Sequence, residues 1–171
     1  MLRALSIIFV TTMIDVFLLL GSNLGDRKSF LQSAIDHIET DISPVLKKSS
    51  VYETQSWGKT DEPDYLNQVI LLKTSLAPEI LLQKILSIEK KLGRKRDVKW
   101  GSRIIDIDIL FYDAAIISLP GLEIPHPELH KRMFTLEPLS EIAPDFVHPV
   151  LNKTIFQLKS KLISNLHVKK L

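Results

Sequence analysis

Apolar and polar positions along this chain alternate between strand-like and helix-like periods. Residues 14–20 are a near-continuous apolar run that reads as a strand and ends at Gly21-Ser22-Asn23, where the glycine suggests a tight turn. Asp26 then stands as a helix N-cap, followed by Phe30, Leu31, Ala34, Ile35 and Ile38 in an apolar stripe of helical spacing. Residues 45–52 and 65–72 read as strands, separated by a polar loop with Gly58, Asp61 and Pro63. Pro78 opens a second helix, Leu81, Ile85, Ile88 and Leu92 repeat along it, and Gly93 stops it. Residues 104–112 form the next strand. The order β-α-β-β-α-β predicts an α+β fold, a ferredoxin-like antiparallel sheet with helices packed on it. Additional C-terminal elements follow: a proline-punctuated stretch over 119–127, a short helix over 135–142, and an amphipathic tail with Ile155, Leu158, Leu162 and Leu166.

Composition narrows the picture. A length of 171 residues, 45% hydrophobic and 25% charged, fits one globular domain with a sizeable core. A net charge of +2 is too mild to indicate nucleic acid. With no cysteine, disulfides and thiolate chemistry are excluded, which suits a reducing cytosol. The N-terminal apolar stretch superficially resembles a signal peptide, but Asp15 interrupts it and no small-x-small cleavage site follows. Residues 1–12 are expected to be an extension, with 13–171 a single domain. The expectation is a cytoplasmic monomer with small-molecule partners, bound to neither nucleic acid nor membrane.

The chemistry concentrates in residues 103–109, Arg-Ile-Ile-Asp-Ile-Asp-Ile. On a strand, Asp106 and Asp108 emerge on one face, roughly 6 to 7 Å apart, while Ile105, Ile107 and Ile109 point into a core. Two such carboxylates repel and are costly to desolvate without a cation between them. Hard oxygen donors favour Mg²⁺ over zinc. Just upstream, residues 90–103 carry seven basic side chains against one acid, Asp97. Read alone, an Asp-x-Asp is weak evidence and a basic cluster after a helix is an ordinary solvated turn. Their conjunction, with Trp100 and two glycines interleaved, suits a polyphosphate. Gly58-Lys59-Thr60 imitates the end of a P-loop, but Glu53 occupies the position of its first glycine and no helix pattern follows. Gly21-Ser22-Asn23-Leu24-Gly25 lacks the dinucleotide fingerprint.

With these residues in view, the chain resembles the 6-hydroxymethyl-7,8-dihydropterin pyrophosphokinases, enzymes of folate biosynthesis. The matching pieces are LLLGSNLGDR (18–27), VYET (51–54), DYLNQV (64–69), IEKKLGR (88–94), KWGSRIIDIDIL (99–110), IPHPELHKRMF (124–134) and LEPLSEIAPD (136–145), in family order. The resemblance implies transfer of pyrophosphate from ATP to the pterin hydroxymethyl group, releasing AMP. It implies that Asp106 and Asp108 hold two Mg²⁺ ions and that Arg94 and Arg103 are catalytic, with Glu89, Arg94, Arg103, His126 and Arg132 contacting ATP. It places the pterin against Thr54, Tyr65, Asn67, Trp100 and Phe134. The loops 53–64 and 93–102 are then expected to close over ligands. Leu86 departs from a glutamine of some members. The Thr54-Gln55-Ser56-Trp57 stretch lacks prolines common there, so no pterin contact is assigned to Gln55 or Trp57. Two rival readings remain: another Mg²⁺-dependent phosphotransferase built on the aspartate pair, and a ferredoxin-like RNA-binding module. The second needs stacking aromatics on a central strand, and residues 69–73 supply none.

Overall fold

The computed structural model describes residues 12–55, 63–94, 103–164 and 167–171. Within them a six-stranded antiparallel sheet is sandwiched between two pairs of helices. Its strands are β1 (Ile14–Ser22), β2 (Val45–Lys48), β3 (Tyr52–Thr54), β4 (Tyr65–Thr74), β5 (Asp106–Tyr112) and β8 (Val168–Lys170). The path across it is β5-β1-β4-β3-β8, with β2 also paired to β4. A small hairpin, β6 (Ile117–Leu119) and β7 (Leu122–Ile124), stands apart as its own two-stranded sheet.

Pleating sends alternate side chains of the same strands into two cores. One face gathers Val16, Leu18, Leu20, Leu66, Ile70, Leu72, Ile107 and Ile109. It is covered by α1 (Arg27–Asp41), through Leu31, Ala34, Ile35 and Ile38, and by α2 (Pro78–Lys91), through Leu81, Ile85 and Ile88. The opposite face gathers Phe17, Leu19, Val69, Leu71 and Leu110 beneath α3 (Met133–Ile142) and α4 (Ile155–Lys161). Asp26 caps α1 by accepting the Ser29 N–H at 3.1 Å. Glu141 moors α3 to the sheet edge: its carboxylate accepts from the Ser50 N–H, the Ser50 hydroxyl and the Tyr52 hydroxyl, and pairs with Lys170.

Several elements differ from the sequence reading. The strand expected over 45–52 is broken, because three residues, 49–51, stand opposite only two, 68–69. Ser49 fastens this bulge, donating its N–H to Val69 C=O and accepting the Val69 N–H at its hydroxyl. β5 starts at Asp106 rather than 104. Gly21 and Ser22 belong to β1 itself; the positive φ of 63° falls at Gly25. The proline-rich stretch holds the β6-β7 hairpin, turned at Gly121 with φ 78°. The amphipathic tail is helical only to Lys161, and residues 168–170 add a strand beside β3. Among the described residues no helix is long and apolar enough to cross a membrane. Residues 1–11, within the expected extension, lie outside the described residues.

Candidate active site

The second face changes character partway along the sheet. In register, Asp108 stands opposite Leu19, and Asp106 opposite Gly21, which is itself opposite Asn67 on β4. One step along, the apolar row becomes Asp106-Gly21-Asn67-Tyr52. Thr54 and Tyr65 continue the same face. Ile105, Ile107 and Ile109 are all 5% exposed or less on the other side, as the alternation of β5 requires. Gly21 has no positive φ, so its backbone does not require glycine, but a Cβ there would lie 3.3 Å from the Asn67 Oδ1. Absence of a side chain keeps the strip between Asp106 and Asn67 clear. The sequence reading missed this and saw only a turn.

The two carboxylates are treated differently. Asp106 is paired with two arginines: Arg94 Nη1 lies 2.6 Å from its Oδ1 and Arg103 Nη1 bonds its Oδ2. Burial, then the Asp106 charge, push the Asp108 carboxyl up to about 7, partly opposed by the Arg132 guanidinium. His126 Nε2 lies 3.9 Å from Asp108 Oδ2. Burial and Arg132 hold that imidazole down at about 4, so it is neutral and the contact is not an ion pair. Its Nδ1 accepts the Glu128 N–H at 3.2 Å, which leaves the ring proton on Nε2, facing the carboxylate.

Glu89, on the buried side of α2, is 2% exposed. Its Oε1 accepts the Ile107 N–H at 2.8 Å and binds Arg94. Burial raises its pKa, and Arg94 opposes the rise. Arg132 is the N-cap residue of α3; its guanidinium sits 5.7 Å from the Phe134 ring centroid, and its buried Nε has no hydrogen-bond partner among the described residues. Asn67 is 3% exposed, and its Nδ2 donates to Thr54 Oγ1 at 2.9 Å. Tyr65 and Phe134 are half-buried rather than core aromatics. Of the expected site residues, Thr54, Tyr65, Asn67, Asp106 and Asp108 share one sheet face; Arg94, Arg103, His126 and Arg132 gather around the carboxylates, and Phe134 adjoins Arg132. Trp100 lies outside the described residues, as do 56–62 and 95–102 of the two expected closing loops.

Paired hard-oxygen donors fit a hard divalent cation, and the cost of charging Asp108 is the kind a cation relieves. No group of three or more metal-ligating side chains occurs among the described residues, so a cation here would complete its shell from substrate oxygens and water. Carboxylates flanked by three arginines on an α+β scaffold have the chemistry that suits phosphate esters. Comparison with known proteins is more specific. Residues 17–144 match the family model described as 7,8-dihydro-6-hydroxymethylpterin-pyrophosphokinase. The chain is 46% identical over 147 residues to the 2-amino-4-hydroxy-6-hydroxymethyldihydropteridine pyrophosphokinase of Aquifex aeolicus, covering 86% of this chain and 91% of that one. It is 42% identical over 151 residues to the enzyme of the same name from Methylorubrum extorquens, covering 88% and 94%. Among solved structures it matches the wild-type HPPK-DHPS of Plasmodium falciparum with pterin and p-hydroxybenzoate, at TM-score 0.70 and 21% identity. That match covers 88% of this chain but only 43% of the larger one, and it speaks for the fold alone. The chain belongs to the 7,8-dihydro-6-hydroxymethylpterin-pyrophosphokinase family.

Proposed function

We infer that this chain transfers pyrophosphate from ATP to the hydroxymethyl group of 6-hydroxymethyl-7,8-dihydropterin, with AMP as the other product, in folate biosynthesis. The observation that carries the reading is the row Asp106-Gly21-Asn67. The carboxylates and arginines lie at one end of this cleared strip and a polar edge, Asn67 with Thr54, at the other, which supports a heterocycle bound beside a polyphosphate. The helices and strands from β1 to β5 are read as a ferredoxin-like unit, supported by the strand order β5-β1-β4-β3.

Asp106 and Asp108 would hold two Mg²⁺ ions, which supply charge neutralisation across the triphosphate. Arg94 and Arg103 exchange Asp106 for phosphate oxygens when nucleotide binds, each offering a rigid guanidinium fork. Glu89 is too enclosed to reach far and serves the nucleotide through Arg94. The uncommitted Nε of Arg132 and the neutral His126 N–H add donors on the α3 side. Asn67 offers donor and acceptor atoms to the pterin edge, while Tyr65 and Phe134 offer ring faces. Transfer of this kind depends on positioning and charge, so no strong general base is required.

The test is the identity of the nucleotide product. With ATP, Mg²⁺ and the pterin, AMP should form one for one with diphosphorylated pterin. ADP instead, or AMP formed equally well without the pterin, would point to another phosphotransferase.

A further inference from the structure

Asn23 carries no role in the scheme above, yet it is 1% exposed and sits where two site segments meet. Its backbone N–H donates to Arg103 C=O at 3.1 Å, and its Oδ1 accepts the Arg103 N–H at 2.6 Å. The amide and backbone of one residue thus grip both backbone polar groups of Arg103. Next door, the Ser22 hydroxyl donates to Ile104 C=O at 2.5 Å. On its other side, Asn23 Nδ2 donates to Pro63 C=O at 3.4 Å. Pro63 and Asp64 lead directly into β4, where Tyr65 and Asn67 lie, and Arg27 holds the same approach by donating to Asp64 C=O at 2.7 Å.

The geometry points to Asn23 as a positioning residue that joins the two halves of the site: its acceptor sets Arg103 against Asp106, and its donor sets the entry to the pterin-bearing strand. Only a side chain with both an acceptor and a donor can do both. Asp keeps the first and loses the second; Ala loses both. β1 runs between β5 and β4, so the residue directly after its last, Ser22, is the natural place for such a joint. A displaced Arg103 backbone would swing the guanidinium away from the phosphates, and misplacement of about an ångström costs on the order of 10²-fold in rate.

The inference rests on the proposed role of Arg103, so the experiment is a cycle of wild type, Asn23→Ala, Arg103→Ala and the double variant, read as kcat and KM in pterin-dependent AMP formation. Each single variant should lose roughly 10- to 100-fold in kcat. The double variant should be no slower than Arg103→Ala, because Asn23 acts through Arg103. Losses that multiply would overturn the role of Asn23 and leave that of Arg103 standing. Wild-type kcat in Arg103→Ala would overturn both. A lowered melting temperature in Asn23→Ala with kcat per folded molecule unchanged would show a purely structural amide. Asn23→Asp separates the two functions and carries the test should Asn23→Ala not fold: kcat near wild type with a raised KM for the pterin is expected. A lowered kcat with unchanged KM there would overturn the assignment.

Discussion

The two faces of one sheet carry different work. On the α1-α2 face, Val16, Leu18, Leu20, Ile107 and Ile109 continue an apolar layer along β1 and β5, each 5% exposed or less. On the α3-α4 face the same strands begin with Phe17, Leu19 and Leu110, then give way to Gly21, Asp106 and Asp108. Neighbouring residues in sequence therefore belong to different problems. Ile107 is a core side chain, while the aspartates on either side of it are raised out of that core by the pleat. On the proposed reading, stability and chemistry are separated by about one peptide unit, so substitutions one residue apart should have opposite signatures.

The largest effect is expected from the closed face. Leu18→Ala, at 0% exposure, removes a buried isobutyl group and should cost about 2 to 5 kcal/mol of stability. That is a large part of the ~5 to 15 kcal/mol available to a domain. Denaturant midpoints measure it, and kcat per folded molecule should stay at the wild-type level. A changed kcat would mean that the two faces are not separable.

Asp108→Ala, on the open face, should show the reverse. Loss of a metal anchor is expected to lower kcat on the order of 10²-fold, about 2.7 kcal/mol of barrier. Stability should hold or rise. Burial has moved this carboxyl from its ordinary value up to about 7, so its ionised form is disfavoured in the folded state near neutral pH and its removal relieves that penalty. Thermal melts and AMP release on the same preparation decide the matter. A destabilised variant with normal turnover would assign Asp108 to the scaffold.

The difference between the faces also explains what could be read from sequence. β1, α1, β4 and α2 each bury a long stripe, so local periodicity suffices to find them. The aspartate pair is visible because two charges within an isoleucine-rich strand break the expected pattern. β3 and β8 are three residues each and owe their form to partners farther along the chain, while the β6-β7 hairpin is local but its three-residue strands are too short for periodicity to register. The bulge at 49–51 depends on hydrogen bonds between Ser49 and Val69, again non-local. Gly21 and Asn23 read as a turn because glycine beside polar residues is the usual turn signal. Their real setting, at the end of an interior strand where polar groups are buried, becomes visible only with Asp106, Asn67 and Arg103 around them.

A smaller effect sharpens the comparison at the point where the faces communicate. Glu89 projects from the closed face yet binds Arg94 and the Ile107 N–H. Glu89→Gln keeps an acceptor for Ile107 and removes the charge that holds Arg94. We expect kcat to fall about tenfold, or ~1.4 kcal/mol, with stability maintained because burial disfavours the ionised carboxylate. Unchanged kcat would show that Arg94 needs no help from the core side.

The smallest effect concerns the far end of the α3-α4 face, where no site chemistry is expected. His148 is 4% exposed, stacks edge-on against Phe111, and its Nδ1 accepts the N–H groups of Val150 and Leu151 at 3.2 and 3.3 Å. Burial, and then the His130 imidazole 6.2 Å away, hold its pKa below the usual histidine value. Protonation would both charge a buried ring and break the two bonds at Nδ1. The sign follows from proton counting: below about pH 6.5 the unfolded chain binds a proton that the folded chain resists, so stability falls as pH drops, by at most about 1.4 kcal/mol per pH unit from this group. His126 contributes in the same direction down to about 4, and the raised Asp108 carboxyl opposes it. His148→Asn, whose side-chain oxygen can accept the same N–H groups without titrating, isolates the one term. The difference in stability between wild type and variant should be constant above pH 7 and should shift in favour of the variant between pH 6.5 and 5. If that difference stays flat through the acid range, His148 is held by packing alone and the covered end of this face is as insensitive to pH as the face opposite.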